Sequence, residues 1–146
     1  MGEPIRVLHI LQRMEAGGTQ ALLMNIYRKI DRTKIQFDFL VVYKEKQFYE
    51  DKKRKMGGRV YKFSFREDQN LPNLQKELAE FLKQHRKYKI VHCHAYTIGY
   101  FCLSEEKKTG IQIRIAHSHN NETVNDIKSN WYTLEVNCYE NYGYRR

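Results

Sequence analysis

The segment Ile5–Ile30 constrains the fold most, because it joins three elements in a fixed order. Ile5–Leu11 is almost continuously apolar, as expected of a parallel strand that is covered on both faces. Gly17-Gly18 follows, with Thr19 as the predicted N-cap of a helix. The apolar face of that helix is predicted from residues at helical spacing: Leu22, Leu23, Ile26, Tyr27 and Ile30. In an open α/β protein such a unit places a helix N-terminus at the carboxyl edge of the sheet, where ligands bind.

The rest of the chain repeats this alternation of strand and helix. Further strands are predicted at Gln36–Tyr43, Val60–Phe65, Lys89–His94 and Gln112–His117, with Val60–Phe65 near a sheet edge. Between them we predict a charged helix that ends at Gly57-Gly58, a helix that opens near Pro72, and a helix that ends at Gly110. Five such units predict an α/β fold, a doubly wound parallel sheet with right-handed crossovers.

Composition narrows the class of partner. The chain has 146 residues, which fits one domain, and 26 Lys plus Arg against 17 Asp plus Glu. The net charge of +9 fits either an anionic partner or a solvated basic surface. Two interpretations of the densest basic run, Lys44–Arg59, remain open: a helix that lies on an anionic membrane, and a solvated face. No nucleic-acid-binding motif is present, so no nucleic acid partner is expected.

Cysteine usage and hydropathy indicate the compartment. The three cysteines are an odd number without a CxxC motif, which favours a reducing environment over a disulfide framework. No apolar run approaches the length of about 20 residues that a membrane span needs, and we identify no secretory signal. We therefore expect a cytoplasmic protein, with peripheral contact at the inner face of the membrane as an option.

The chemistry-bearing residues are two His-x-His pairs at strand ends. His92 and His94 share one face of a predicted strand, and His117 and His119 repeat the spacing on the next one. Because both pairs stand at strand ends on one edge of the sheet, we expect them to form a cluster there. We expect His94 and His119 to reach solvent and a ligand, and the other two to lie deeper, with a backbone-bonded structural histidine as the alternative. His119 is the stronger candidate, because a loop with Asn120 follows it. Such a histidine can hold a substrate hydroxyl or carry a proton.

Two alternative readings stay open at this level. Four imidazoles could bind zinc in a hydrolase, but no carboxylate lies within or just after either pair, so a metal is not expected. Gly17-Gly18 lets a ligand approach the backbone closely, or it only makes a tight turn. Neither the GxGxxG nor the GxxxxGK[ST] phosphate-binding pattern is present.

Three stretches together resemble a known family. The run GGTQALLMNIYRKIDRTKIQFDFLV and the strand ends YKIVHCHAYTIG and RIAHSHN are similar to the N-terminal half of bacterial family 4 ("group 1") glycosyltransferases, especially those that build capsular polysaccharides and exopolysaccharides. The resemblance covers roughly residues 4 to 125. It implies a GT-B architecture, in which two Rossmann-like domains face each other across a cleft. It also implies retaining transfer from a nucleotide-sugar to a glycan or lipid-linked acceptor, without a metal or another cofactor.

The same resemblance implies roles for individual residues. His119 matches the family's histidine near the reaction centre and is the candidate catalytic residue. Gly17, Gly18 and Thr19 match the loop beside the donor diphosphate and the acceptor. His94 and Asn120 are further candidate substrate-binding residues. Gln20 stands where many members have Glu, which leaves any charge-dependent role at that position in doubt.

The resemblance does not extend to the whole chain. Residues 4–121 are predicted as a Rossmann-like N-terminal domain, whereas residues 122–146 form an atypical Tyr-rich tail. The family's Glu-x7-Glu pair, which grips the donor in a C-terminal domain, has no counterpart. A cut fragment, a truncated gene product and one half of a split enzyme all fit this pattern. We expect the isolated chain to be inactive, because the donor-binding domain or a partner that supplies it is missing. The alternative is a non-catalytic module that binds an anionic membrane or a partner domain.

Overall fold

The computed structural model describes residues 2–12, 17–63, 71–95, 102–104 and 108–117. The strands are β1 (Ile5–Leu11), β2 (Ile35–Val41), β3 (Val60–Lys62), β4 (Ile90–Cys93) and β5 (Ile113–Ala116). The helices are α1 (Gly18–Lys29), α2 (Glu50–Lys55) and α3 (Leu71–Gln84), and residues 102–104 are also helical. All five predicted strands are present, although β3, β4 and β5 are shorter than predicted by two or three residues and β2 by one.

The sheet has the order β3-β2-β1-β4-β5, and every neighbouring pair is parallel. The chain builds outward from β1 to β3 and then returns to add β4 on the other side of β1. This order is that of the first five strands of a Rossmann-like fold. The predicted α/β class and doubly wound parallel sheet are confirmed, and β3 lies at an edge as predicted.

Two apolar clusters cover the two faces of the sheet. On one face, which we call the α1 face, α1 packs against β1 and β2 through residues that include Leu23, Tyr27, Phe37 and Phe39. On the opposite face, α3 and Cys102 pack against the central strands, with Leu8, Leu78 and Val91 among the fully buried residues. Central strands buried on both sides explain why β1 and β2 read as apolar runs.

The buried face of α1 differs from the prediction. Leu23, Met24 and Tyr27 are buried, whereas Leu22 is 44% exposed and Ile26 is 40% exposed. Tyr27 fixes this rotation: its ring stacks on Phe37 at 5.1 Å, and its hydroxyl donates to Gln36 Oε1 and Met56 O. Burial is the main cause that raises the pKa of Tyr27 to about 12.

The turn after α2 is where glycine is needed. Gly57 has a φ of 92°, a left-handed conformation that side chains rarely adopt. Gly58 lies so close to β2 that an added Cβ would be 2.7 Å from Phe37 O. The predicted helix end at Gly57-Gly58 is therefore confirmed. Gly110, with a φ of 80°, plays the same part before β5.

Candidate functional site

The strand order creates a crevice between β1 and β4, because the chain leaves these two neighbouring strands in opposite directions along the sheet. After β1 the chain runs toward β2, whereas after β4 it runs toward β5 on the other side. Crossovers on opposite faces leave a gap outside the carboxyl ends of β1 and β4, and ligands of open α/β proteins bind at such switch points. His94 follows β4 directly at this gap, and its backbone N–H donates to Ile10 O in β1 at 2.9 Å.

The glycine turn lies at the end of the other strand of the switch point. Gly17 is the N-cap of α1, with φ −89° and ψ 170°, and no side chain among the described residues caps the helix. The first turn of α1 also holds no acidic residue. The N–H groups of Gly18 and Thr19 therefore have no side-chain cap among the described residues, and the helix dipole favours an anion beside them.

The structure corrects the role predicted for Thr19. The helix begins at Gly18, so Thr19 lies inside the first turn and is not the N-cap. Neither Gly17 nor Gly18 has a positive φ, so backbone conformation does not require glycine at these positions. A Cβ on Gly18 would meet no described atom within 4 Å. Gly18 thus leaves open space beside the helix N-terminus, which favours close ligand approach over a steric need of the turn, whereas a Cβ on Gly17 would lie 2.9 Å from Gln20 Oε1.

Four imidazoles meet on the α1 face at the switch point. His9 Nδ1 lies 3.1 Å from His94 Nε2, and His92 Nε2 lies 3.2 Å from His117 Nδ1. The His92 and His94 rings are 4.0 Å apart between centroids, and both His94 and His92 lie 5.3 Å from His117. We call His9, His92, His94 and His117 the histidine cluster. The prediction that strand-end histidines gather at one edge is therefore confirmed for His92, His94 and His117.

The depth of these side chains differs from the prediction. His94, expected to reach solvent, is only 9% exposed, whereas His92 and His117 are half-buried. The backbone bond to Ile10 draws His94 inward against the end of β1, and its ring is covered by His9 and His92. His119 and Asn120 lie outside the described residues, so their predicted roles stay predictions.

His9 is a member that sequence reasoning missed. It is 2% exposed in the middle of β1, edge-on to Phe37 at 4.3 Å, and its Nε2 has no hydrogen-bond partner within the described segments. Burial, followed by the nearby His92 and Lys53, holds the pKa of His9 well below its usual range, so the ring is neutral at neutral pH. The signal that could have found it is register, because His9 stands directly beside His92 once β1 and β4 are paired.

Lys53 is a second residue whose burial could not be predicted from the sequence. It lies in the basic run Lys44–Arg59, yet its side chain is fully buried over the Phe39 ring, with Nζ 3.7 Å from the ring centroid. Nζ has no hydrogen-bond partner among the residues described, and burial lowers the pKa of Lys53 to about 7. A short helix packed on an aromatic strand leaves no route by which this side chain could reach solvent.

Other charges of the basic run are paired. Lys46 lies 2.7 Å from Asp51, and Glu50 binds both Arg54 and Lys62. Phe48, however, is 72% exposed in the loop between β2 and α2, on the carboxyl side of the sheet. The run therefore combines internal ion pairs with one large exposed apolar side chain.

Spanning a membrane is a separate question. Within the described ranges, no helix has the length and apolar character that crossing a membrane requires.

Comparison with known proteins finds similarity to a curated bacterial protein. The chain is 32% identical over 116 residues, 79% of its length, to the curated protein "Putative glycosyltransferase EpsF" of Bacillus subtilis (strain 168). The chain spans 30% of the length of that relative. No family model matches the chain, and no solved structure matches it.

Proposed function

We propose that this chain is the N-terminal, acceptor-side domain of a retaining GT-B glycosyltransferase. The enzyme would transfer a sugar from a nucleotide-sugar to a glycan or lipid-linked acceptor during synthesis of a cell-surface polysaccharide in the bacterial cytoplasm. The observation that carries the proposal is the switch point itself, where the open helix N-terminus at Gly17-Gly18 follows β1 and His94 follows β4. The similarity to a glycosyltransferase supports the class of reaction.

The proposed roles follow from the chemistry of each group. Backbone N–H groups at Gly17, Gly18 and Thr19 suit the oxygens of a donor diphosphate, because they are uncapped and lie at the positive end of α1. An imidazole at His94 suits a sugar or acceptor hydroxyl. His119 is proposed as the catalytic residue beside the transferred sugar, with Asn120 as a further contact. The transfer step is proposed to need no metal.

The second wall of the cleft is proposed to come from another domain or a partner chain. Transfer depends on holding donor and acceptor in reacting geometry, and lost positioning costs many orders of magnitude in rate. The 146 residues alone are therefore expected to transfer sugar negligibly. Rapid transfer from any nucleotide-sugar by the purified chain would contradict this part of the proposal.

Binding at the switch point can be tested without catalysis. In a ¹H–¹⁵N NMR titration with UDP-glucose and with UDP, we expect shifts concentrated at Gly17–Thr19 and at His94–Ala95. Gly18→Val should abolish these shifts and leave the remaining spectrum unchanged, because the new side chain fills open space beside the helix N-terminus. Gly2→Val is the matched control, since a Cβ there also meets nothing within 4 Å. It stands before β1, at the opposite edge of the sheet.

Two results would contradict the assignment of the site. Nucleotide shifts that survive Gly18→Val would place the ligand elsewhere. Shifts confined to Lys44–Arg59 would show binding by a basic surface without the switch point. Inorganic phosphate serves as a further comparison, because a bare anion site would respond to it as strongly as to UDP.

A non-catalytic membrane-binding module is the second candidate. Its supporting observation is Phe48, which is exposed within the densest basic run, where an aromatic side chain and neighbouring lysines suit an anionic lipid surface. Sedimentation with phosphatidylserine-containing vesicles should then depend on salt and weaken in Phe48→Ser. Binding that is insensitive to both salt and anionic lipid would remove this candidate.

A further inference from the structure

Three members of the histidine cluster bring their ring nitrogens close together. One ring nitrogen from each of His9, His92 and His94 lies within 4.8 Å of the others. In a tetrahedral site with metal–nitrogen bonds of about 2.0–2.1 Å, two ligand nitrogens stand roughly 3.3–3.4 Å apart. The 3.1 Å between His9 Nδ1 and His94 Nε2 is already close to that spacing. The third nitrogen lies within 4.8 Å of the other two, so it would have to approach them by up to about 1.4 Å.

The protonation state and the scaffold also suit a metal. Only a neutral imidazole has a lone pair to offer, and His9 is held in that form by its burial. His9 and His92 project from adjacent paired strands, which fixes their spacing better than loops would.

We propose that His9, His92 and His94 form a three-histidine site for a divalent transition-metal ion, with Zn²⁺ as the representative ligand. His117 would serve as an outer partner that orients His92, through the contact at 3.2 Å. A fourth position would be filled by water or by another ligand. Imidazole nitrogens select Zn²⁺, Co²⁺, Ni²⁺ or Cu²⁺ over Mg²⁺ and Ca²⁺, which prefer oxygen.

The exposure of the histidine cluster and the charge near it both affect how tightly an ion would bind. His92 and His117 are half-buried, and Ile113 and Ile115 on the neighbouring β5 are exposed, so an ion would enter from the β5 side. Lys53 lies near His9 and carries charge below a pH of about 7, which opposes a cation. The site is therefore expected to bind the ion more weakly when Lys53 is protonated. The ion has no assigned role in the proposed transferase activity, but the two proposals share His94, so an ion and a substrate hydroxyl would compete for that imidazole.

The test is a titration of the full 146-residue chain, purified without a histidine tag, with Co²⁺ and then Zn²⁺. We expect one equivalent of Co²⁺ to produce the strong visible absorption of a tetrahedral site, and Zn²⁺ to displace it. His92→Ala and His94→Ala should each weaken binding at least tenfold. His85→Ala is the matched control, because His85 lies on the opposite face, where it bonds to Phe81 O and stacks on Phe81.

The results that would contradict the metal site differ from those expected for it. Less than stoichiometric binding, unchanged binding in both cluster variants, or an equal loss in His85→Ala would overturn the proposal. Circular dichroism checks the fold of each variant, and the half-buried His92 decides the result if His94→Ala does not fold. Because no sugar substrate is used, failure of the metal site and failure of the proposed transferase function remain distinguishable.

Discussion

At the scale of single residues, Asp38 shows how one buried charge joins distant parts of the chain. Its carboxylate is fully buried and accepts hydrogen bonds from the Arg6 guanidinium, the Arg59 backbone N–H and the Tyr88 hydroxyl. Arg6 is the second residue of β1 and Arg59 precedes β3, so the network lies toward the amino edge of the sheet, away from the switch point. Burial is the main cause that raises the pKa of Tyr88, with the bond to Asp38 next. This network therefore stabilises the fold and has no assigned part in ligand binding.

We predict that Asp38→Ala lowers the free energy of unfolding by about 3–5 kcal/mol, because it leaves Arg6 buried in part without its counter-ion. Urea denaturation followed by circular dichroism measures the change. Asp31→Ala is the control, since Asp31 is half exposed and its ion pair with Lys34 spans 3.6 Å, so little change is expected. A loss in Asp38→Ala no larger than that in Asp31→Ala would contradict the prediction.

At the scale of elements, the turn between α2 and β3 passes so close to the β2 backbone that it leaves no space for a side chain at Gly58. The segment around Gly58 touches the β2 backbone at Phe37 and the α2 backbone at Lys53. The N–H of Gly58 donates to Lys53 O, and Gly57 supplies the left-handed residue that ends the helix. This turn sets the register in which β3 joins the sheet.

Gly58→Ala is predicted to destabilise the protein by about 1–3 kcal/mol, because its Cβ would be 2.7 Å from Phe37 O, a backbone atom that cannot move aside alone. Gly18→Ala makes the same chemical change inside α1 with open space around it. It should be neutral or slightly stabilising, by about 0.4–1 kcal/mol. Thermal unfolding of both variants is the measurement, and equal effects would refute the steric explanation.

At the scale of the whole molecule, the buried bases couple stability to pH. Burial lowers the pKa of Lys53 from the 10.5 of an exposed lysine to about 7 in the folded chain. The unfolded chain therefore binds more protons in this window, and folding stability rises as the pH rises from 7. His9, the nearest titratable base, has a depressed pKa and adds a cost in the same direction at lower pH. Glu50, which lies one turn before Lys53 in α2, forms its ion pairs with Arg54 and Lys62.

Between pH 7 and pH 9 we predict a gain of about 2 kcal/mol or less in the free energy of unfolding, because the contact of Lys53 with the Phe39 ring returns part of the burial cost. Lys53→Met should raise stability at pH 7 and flatten the dependence. Lys52→Met, an exposed neighbour in α2, should leave the slope unchanged. Urea unfolding at both pH values tests this, and a wild-type slope retained in Lys53→Met would contradict it.

The sequence by itself determined the alternation of strands and helices. Local apolar periodicity placed β1 with its observed bounds, and it predicted β2, β4 and β5 to within two residues at each end. Glycine chemistry likewise marked the end of α2, and the short parallel strands indicated that His92, His94 and His117 would meet at one edge. These features depend on residues close together in the chain, and so they can be read from the sequence.

Only the tertiary structure decided which strands are neighbours and which side chains are buried. Pairing β1 with β4 brought His9 beside His92 across 83 positions of the chain and drew His94 under cover at the end of β1. Packing of α2 on β2 buried Lys53 within a run of charges that read as a solvated surface. Pairing of β2 with β1 and β3 likewise gave Asp38 its partners Arg6 and Arg59. Such contacts follow from strand order and crossover side, which are non-local properties that no short stretch of sequence encodes.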